Sequence, residues 1–331
     1  MSSQAPSSDI KFSAIKNLIS GNTSGPIAQS SFTNFNPFSG NTSGSISISS
    51  KIAGKYPFPP KNSNESAMNV CFACRIIVPT YTGPVFRLRR SSDNVVQDFY
   101  TDKTQSFLTT GANNTGTTFS SWIGGNTAYV TIWYDQSGNG NNATNSNNNT
   151  TQPYLENTAP GTSGKYVIRF VRANTTVLYL NSIQPNTVFS HFYNTQNFYG
   201  ATILSTAYDY QVRFGFGCTS ITSDQNGGDW FYNGAIAGSY LEYNNGVDQN
   251  FQGSGDDSIL LNSWNVLTLS VTNPIWVTDQ TNFSESSFTR IGQDGFDPAS
   301  RSIDGWISEM ICHNKMITVD DINCYYNNRF F

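Results

Sequence analysis

The sequence is poor in charge. Only 12% of its 331 residues are Asp, Glu, Lys or Arg, with a formal net charge of −4, against about a quarter in an average soluble protein. No basic run exceeds Arg87, Arg89 and Arg90, so the chain lacks the electrostatic footprint of a nucleic-acid binder and no nucleic-acid partner is expected. No window reaches the roughly 18 apolar residues of a bilayer span. The N-terminal MSSQAPSSDIKFSAIKNL lacks the apolar centre of a secretory signal, so neither a membrane span nor export by the standard route is expected. Histidine is scarce: His191 and His313, without a Ser elbow, make no triad, and there is no phosphate-binding Gly loop. Five cysteines, an odd number in a long chain, argue against a disulfide framework. Cys71 and Cys74 form a C-x-x-C, but no second pair stands at zinc spacing, so buried reduced thiols are expected and no metal is assigned.

Asn, Ser, Thr and Gly fill the place of charge. Such a chain keeps its surface wet through amides and hydroxyls, which suits turn-rich β-structure, extracellular proteins and virus particles. The first 60 residues read as a flexible arm in which SGNTSG occurs at 20–25 and again at 39–44, two copies being too few for a solenoid. KYPFPPKNSN at 55–64 is a proline-stiffened boundary, and residues 61–331 read as one domain. Asn62 with Glu65 offers a capping box, and Ala67, Val70, Cys71, Cys74 and Ile77 fall at helical spacing before Pro79, so a short helix is expected there. VFRLRRSSDNVVQDFY predicts two strands around a turn. AYVTIWYDQ, KYVIRFV, TVLYL, FYGATILST, QVRFGFG, SWNVLTLSVTN, SFTRIG and DGWISEMICHN supply further strands between Gly, Asn, Asp and Ser clusters. TVDDINCYYNNRFF predicts a closing helix with Thr318 as N-cap and Asp321 three residues on. The fold class expected is all-β: a two-sheet antiparallel sandwich with short helices at its margins.

Within this pattern VTIWYDQSGNGNNATN (130–145) alternates Val130, Ile132 and Tyr134 with Thr131, Trp133 and Asp135, then turns through SGNG. Asp135 is expected to accept hydrogen bonds from the turn's own amides. Together with YTGPVFRLRRSSDNVVQDFY (81–100), this stretch is similar to the paired motif in the catalytic domain of family 54 α-L-arabinofuranosidases. It also resembles concanavalin A-like (laminin-G-like) jelly-roll domains of phage and large DNA virus structural proteins. IDGWISEMICHNKMITVDDINCYYNNRF resembles the last strand and closing helix of such domains, so the resemblance covers roughly 65–331 and implies a jelly roll.

The resemblance also implies sites. A retaining glycosidase needs two carboxyls about 5 Å apart. RIGQDGF resembles the family's acid/base segment, with Asp294 in that place. DWFYNGAIAG resembles the nucleophile segment, but Tyr232 stands before Asn233 and Gly234 where the family has Glu, and the family's adjacent-cysteine pair is missing. Asp229 or Glu242 is available as a substitute carboxyl, although no spacing singles either out, and Asp294 among glycines also reads as a loop cap. Trp230, Tyr232, Asn233, Tyr240 and Tyr243 are candidates for carbohydrate binding, with rings and amides of the kind sugar sites use. The expectation drawn from the eroded catalytic pair, the arm and the low charge is a non-enzymatic virion component (minor capsid, spike or fibre). The arm would contact other capsid subunits, and a cell-surface glycan is a further partner for host attachment. Two alternatives stay open, a carbohydrate-binding module outside a virus and an α-L-arabinofuranosidase-like hydrolase. No cofactor is expected; calcium in the acidic loop GSGDDS (253–258) is the one exception left open, solvated turns being commoner.

Overall fold

A computed structural model describes residues 68–147, 150–195, 201–206, 213–216, 240–248, 262–271, 287–295 and 297–331. The arm at 1–60, the linker to 67 and the GSGDDS loop lie outside them. The described strands are β1 (Met68–Ala73), β2 (Phe86–Arg90), β3 (Val96–Phe99), β4 (Thr109–Gly111), β5 (Thr115–Thr118) and β6 (Ala128–Trp133). Then come β7 (Ala143–Thr144), β8 (Tyr154–Glu156), β9 (Val167–Phe170), β10 (Leu178–Ile183), β11 (Thr187–Asn194) and β12 (Ala201–Ser205). The last are β13 (Arg213–Phe216), β14 (Tyr240–Asn244), β15 (Val247–Asp248), β16 (Trp264–Val271), β17 (Phe288–Ile291) and β18 (Gly305–His313). Three short α-helices are found among the described residues: α1 (Phe119–Ile123), α2 (Pro298–Arg301) and α3 (Val319–Asn327).

The all-β expectation holds. Pairing runs β13-β12-β17-β10-β7-β6-β8-β9-β18-β11-β16-β14-β15, with β1 added on β18 and the β2–β3 hairpin on β6, while β4 and β5 form a separate ribbon. β18 is the hub, since β9 pairs with its first residues, β1 with its last, and β11 with its whole length. Its two faces serve two cores. Ile307, Met310 and Cys312 join the main cluster with Phe72, Phe86, Trp133, Phe170 and Phe192. Ile311 joins a second cluster with Phe189, Val266, Ile322 and Tyr325 beneath α3. The closing helix forms as the sequence predicts: the Thr318 side chain accepts from Asp321 N–H and Asp321 accepts from Thr318 N–H, completing a capping box.

Of the helix expected between Asn62 and Ile77, the described residues 68–77 form β1 and the irregular segment after it instead. Val70, Phe72 and Cys74 enter the main core while Met68, Cys71 and Ala73 enter the second. A strand buried on both faces reads as an unbroken apolar run, and such a run also satisfies helical spacing. The C-x-x-C therefore points its thiols to opposite sides. Both are free and buried, and desolvation pushes both well above the usual thiol range.

The Asp-Gln-Ser-Gly-Asn-Gly turn holds β1 in place. Asp135, 4% exposed, accepts at Oδ1 from Cys71 N–H (2.8 Å) and Ser137 N–H (2.9 Å). Its Oδ2 accepts from Ser137 Oγ (2.7 Å) and Asn141 N–H (3.1 Å). Gln136 N–H donates to Cys71 O, while its side chain accepts from Ile77 N–H (3.0 Å) and donates to Arg75 O (2.7 Å). Asn139 and Asn141 donate to the carbonyls of Met68 and Asn69. The turn thus satisfies its own amides, as expected, and also takes the place of a neighbouring strand along β1. Asp135→Ala strands Cys71 N–H and Asn141 N–H in a dry environment. The expected cost is about 3 kcal/mol, read as a lower urea midpoint at unchanged slope.

Candidate functional site

Asp294 sits in a buried polar knot at the end of β17. Gly292 makes the turn: its φ is +82°, and a Cβ there would lie 2.1 Å from the Phe170 ring, so only glycine fits. Gly292 N–H donates to Ile203 O on β12 (2.8 Å). Gln293 follows, 5% exposed, with its amide on Thr175 O (2.7 Å) and its carbonyl accepting from Ser205 Oγ (2.6 Å). Asp294 itself is 1% exposed. Its Oδ2 accepts from Thr202 Oγ1 (2.9 Å), its Oδ1 accepts from Asp297 N–H (2.8 Å), and its own N–H donates to Ser302 Oγ (3.1 Å). Asp297 in turn caps α2 by accepting from Ser300 N–H.

Thr202, Ser205, Thr206, Gln293, Asp294 and Ser302 are all buried. Burying this many polar groups in one place costs free energy that close hydrogen bonding must offset. The result is a carboxyl held by Thr202 of β12 and the backbone of Asp297, on a residue whose own N–H is held by Ser302. The loop-capping role expected of Asp294 is therefore part of its geometry. The hydroxyl partners were not singled out by sequence, because Thr202 and Ser205 lie 92 and 88 positions from their partners and meet them through the β12–β17 pairing, while Ser302 returns to Asp294 from beyond α2.

The other sequence candidates fall elsewhere. Trp230, Tyr232 and Asn233, like Asp229, lie outside the described residues. Tyr240 and Glu242 lie on β14, opposite Val271 and Leu269 of β16. Tyr243, on the same strand, is 7% exposed and its ring belongs to the second core. β14 and β17 stand near opposite ends of the pairing order. Among the described residues no three His, Cys, Asp or Glu side chains cluster as metal ligands.

Neither histidine is placed for acid–base work. His313 Nε2 bonds the Tyr325 hydroxyl (2.9 Å) under α3. His191 is fully buried between the Trp264 and Phe331 rings, with Nδ1 on Ser308 Oγ (2.8 Å). Burial first, then the nearby Arg329 and Arg75 charges, hold its pKa well below the usual imidazole value. The folded state therefore keeps His191 neutral while the unfolded chain takes up a proton below pH 6.5. Stability should then fall with falling pH in that range by up to about 1.4 kcal/mol per unit. His191→Gln should remove that part of the slope in urea titrations between pH 7 and 5.

Residues 65–240 match the family described as "Alpha-L-arabinofuranosidase B, catalytic". Asp294 lies beyond the matched stretch and Tyr232 within it. Similar solved structures include a Glu-to-Gln mutant of a GH54 a-l-arabinofuranosidase soaked with 4-nitrophenyl a-l-arabinofuranoside. It is 14% identical over 80% of this chain and 63% of that one, with a TM-score of 0.50. A GH54 a-l-arabinofuranosidase soaked with a cyclic sulfate inhibitor gives the same identity and coverage with a TM-score of 0.49. At this identity the likeness bears on fold alone, and the chain spans less than two thirds of the length of these structures. No curated protein matches the chain. The family match overturns the expectation of a non-enzymatic virion component and favours the hydrolase alternative.

Proposed function

The chain belongs to the family of alpha-L-arabinofuranosidase B catalytic domains, and from that premise we propose that it is a glycoside hydrolase cleaving α-L-arabinofuranosyl bonds with Asp294 as its acid/base. The match over 65–240 carries the reading. It is supported by the IGQDG segment, whose Asp is buried, held on both oxygens and set among hydroxyls. In this proposal the expected two-sheet jelly roll is the frame; the two cores on opposite faces of β18 support it.

The chemistry asked of Asp294 is proton transfer. Its carboxyl protonates the glycosidic oxygen as the bond to the anomeric carbon lengthens, and its carboxylate then takes a proton from the incoming water. Thr202 Oγ1 and Asp297 N–H keep the group aimed through both steps. The second role is attack at the anomeric carbon. Tyr232 occupies the position where the resemblance puts a Glu, and a tyrosine activated by a carboxylate is known glycosidase chemistry. Asp229 and Glu242 are the nearby carboxylates in sequence, and Trp230, Asn233 and Tyr240 are the proposed sugar contacts.

The test is release of phenol from the unsubstituted phenyl α-L-arabinofuranoside, whose weakly acidic leaving group needs a proton to depart. Asp294→Asn should lower kcat/KM by about 10²- to 10⁴-fold. Tyr232→Phe, Asp229→Asn and Glu242→Gln should separate the attacking group from its activator. An unmodified protein without turnover, or an Asp294→Asn variant as fast as its parent, contradicts the proposal.

A further inference from the structure

Register lines up one row of side chains across seven strands. Arg89 on β2 stands opposite Tyr129 on β6, and Tyr129 opposite Tyr154 on β8. Tyr154 stands opposite Arg169 on β9, and Arg169 opposite Trp306 on β18. Trp306 stands opposite Tyr193 on β11, and Tyr193 opposite Trp264 on β16. Directly opposed residues share a sheet face. Their sequence neighbours Leu88, Val130, Leu155, Ile168, Ile307 and Phe192 belong to the main core, so Arg89, Tyr129, Tyr154 and Arg169 lie on the opposite face, while Trp306 and Trp264 at the far end of the row also pack against that core.

The row is packed as a unit. The Arg89 guanidinium lies 4.4 Å from the Tyr129 ring centre and that of Arg169 4.6 Å from Trp306. Trp306 meets Tyr193 edge-on at 5.3 Å. Its ends are closed: Arg89 and Tyr193 are 7% and 6% exposed, and Trp264 is tied to Pro160 O and packed on Phe331. Its middle is not. Tyr129, Tyr154, Arg169 and Trp306 are half-buried, and a cavity of about 650 Å³ is lined by Tyr129, Tyr154, Tyr166 and Glu156 together with the exposed amides of Asn126 and Asn157.

We infer that this four-strand stretch and its cavity are a binding site for an extended, neutral oligosaccharide chain, separate from the Asp294 knot. Three features select that ligand. A sugar ring offers an apolar C–H face for aromatic rings and a rim of hydroxyls for amides and carboxylates, the two kinds of group present. The formal charges of the stretch sum to zero, Arg89 and Arg169 against Glu156 and Asp304, with Arg169 paired to Asp304 and Arg89 buried against Gln152 and Asn94; a phosphate backbone would need a positive surface. Four strands span about 14 Å, the reach of a chain rather than of one ring. None of the groups that hold Asp294, namely Thr202, Asp297 and Ser302, lines the cavity. The inference rests on the hydrolase reading for its ligand class alone.

The experiment is calorimetric titration of the full chain with xylohexaose and with cellohexaose, neither of which carries an arabinofuranosyl bond. Saturable binding to at least one is expected, weakened about tenfold by Tyr154→Ala and about threefold by Asn157→Ala. Asn157 is exposed, so its variant keeps the test valid even if Tyr154→Ala fails to fold. Turnover of the small aryl arabinofuranoside should be unchanged in both variants, which separates failure here from failure of the hydrolase reading. Absence of binding to both chains, binding that neither substitution alters, or tighter binding of an oligothymidylate overturns the inference.

Discussion

One buried carboxylate organises the centre of the molecule. Asp135 takes four hydrogen bonds with almost no water around it, and the bond to Cys71 N–H reaches back 64 residues to fasten β1. β1 has β18 on one edge and this turn on the other. Because β18 also pairs with β9 and β11, the position of β1 affects both cores at once. A charged acceptor gains more from each bond than a neutral one, but only if every lone pair is used once water is gone. The Ser, Asn and Gly that follow Asp135 meet that condition, and Trp133 adds its indole N–H to Ala73 O.

Local chemistry was the legible part of the sequence. The Thr318–Asp321 box, the β2–β3 hairpin around Ser91–Asn94 and the self-capping Asp135 turn each depend on residues a few positions apart. β1 misled because burial on both faces removes the period-2 signal. β11 went unrecognised for the opposite reason. TVFSHFYN is wholly buried yet carries Thr187, Ser190, His191 and Asn194, whose polarity reads as loop; Ser270 and Ser308 supply partners for Thr187 and His191 from neighbouring strands. The knot around Asp294 belongs to the same class. Its carboxyl was visible in IGQDG, while the hydroxyls that hold it come from another strand and from beyond α2.

The composition had pointed away from catalysis. A surface of amides and hydroxyls with few charges suits a particle coat, and a tyrosine where the resemblance puts the nucleophile fits that reading. The interior shows another use of the same residues, since Thr202, Ser205 and Ser302 are buried around a carboxyl. Family membership, shown over 65–240, is the ground on which that carboxyl is proposed as the acid/base. The outward row from Tyr129 to Trp306 adds a second surface on which a glycan chain would lie, built from register rather than from any contiguous motif.

The central claim is that Asp294 delivers a proton to the departing oxygen, and leaving-group dependence tests it most directly. Across a series of α-L-arabinofuranosides whose leaving groups run from acidic phenols to alkyl alcohols, the loss caused by Asp294→Asn should grow steadily as the leaving group becomes more basic. With the most acidic phenol the loss should nearly vanish for bond cleavage. A loss of equal size across the whole series would make Asp294 a structural cap and contradict the account.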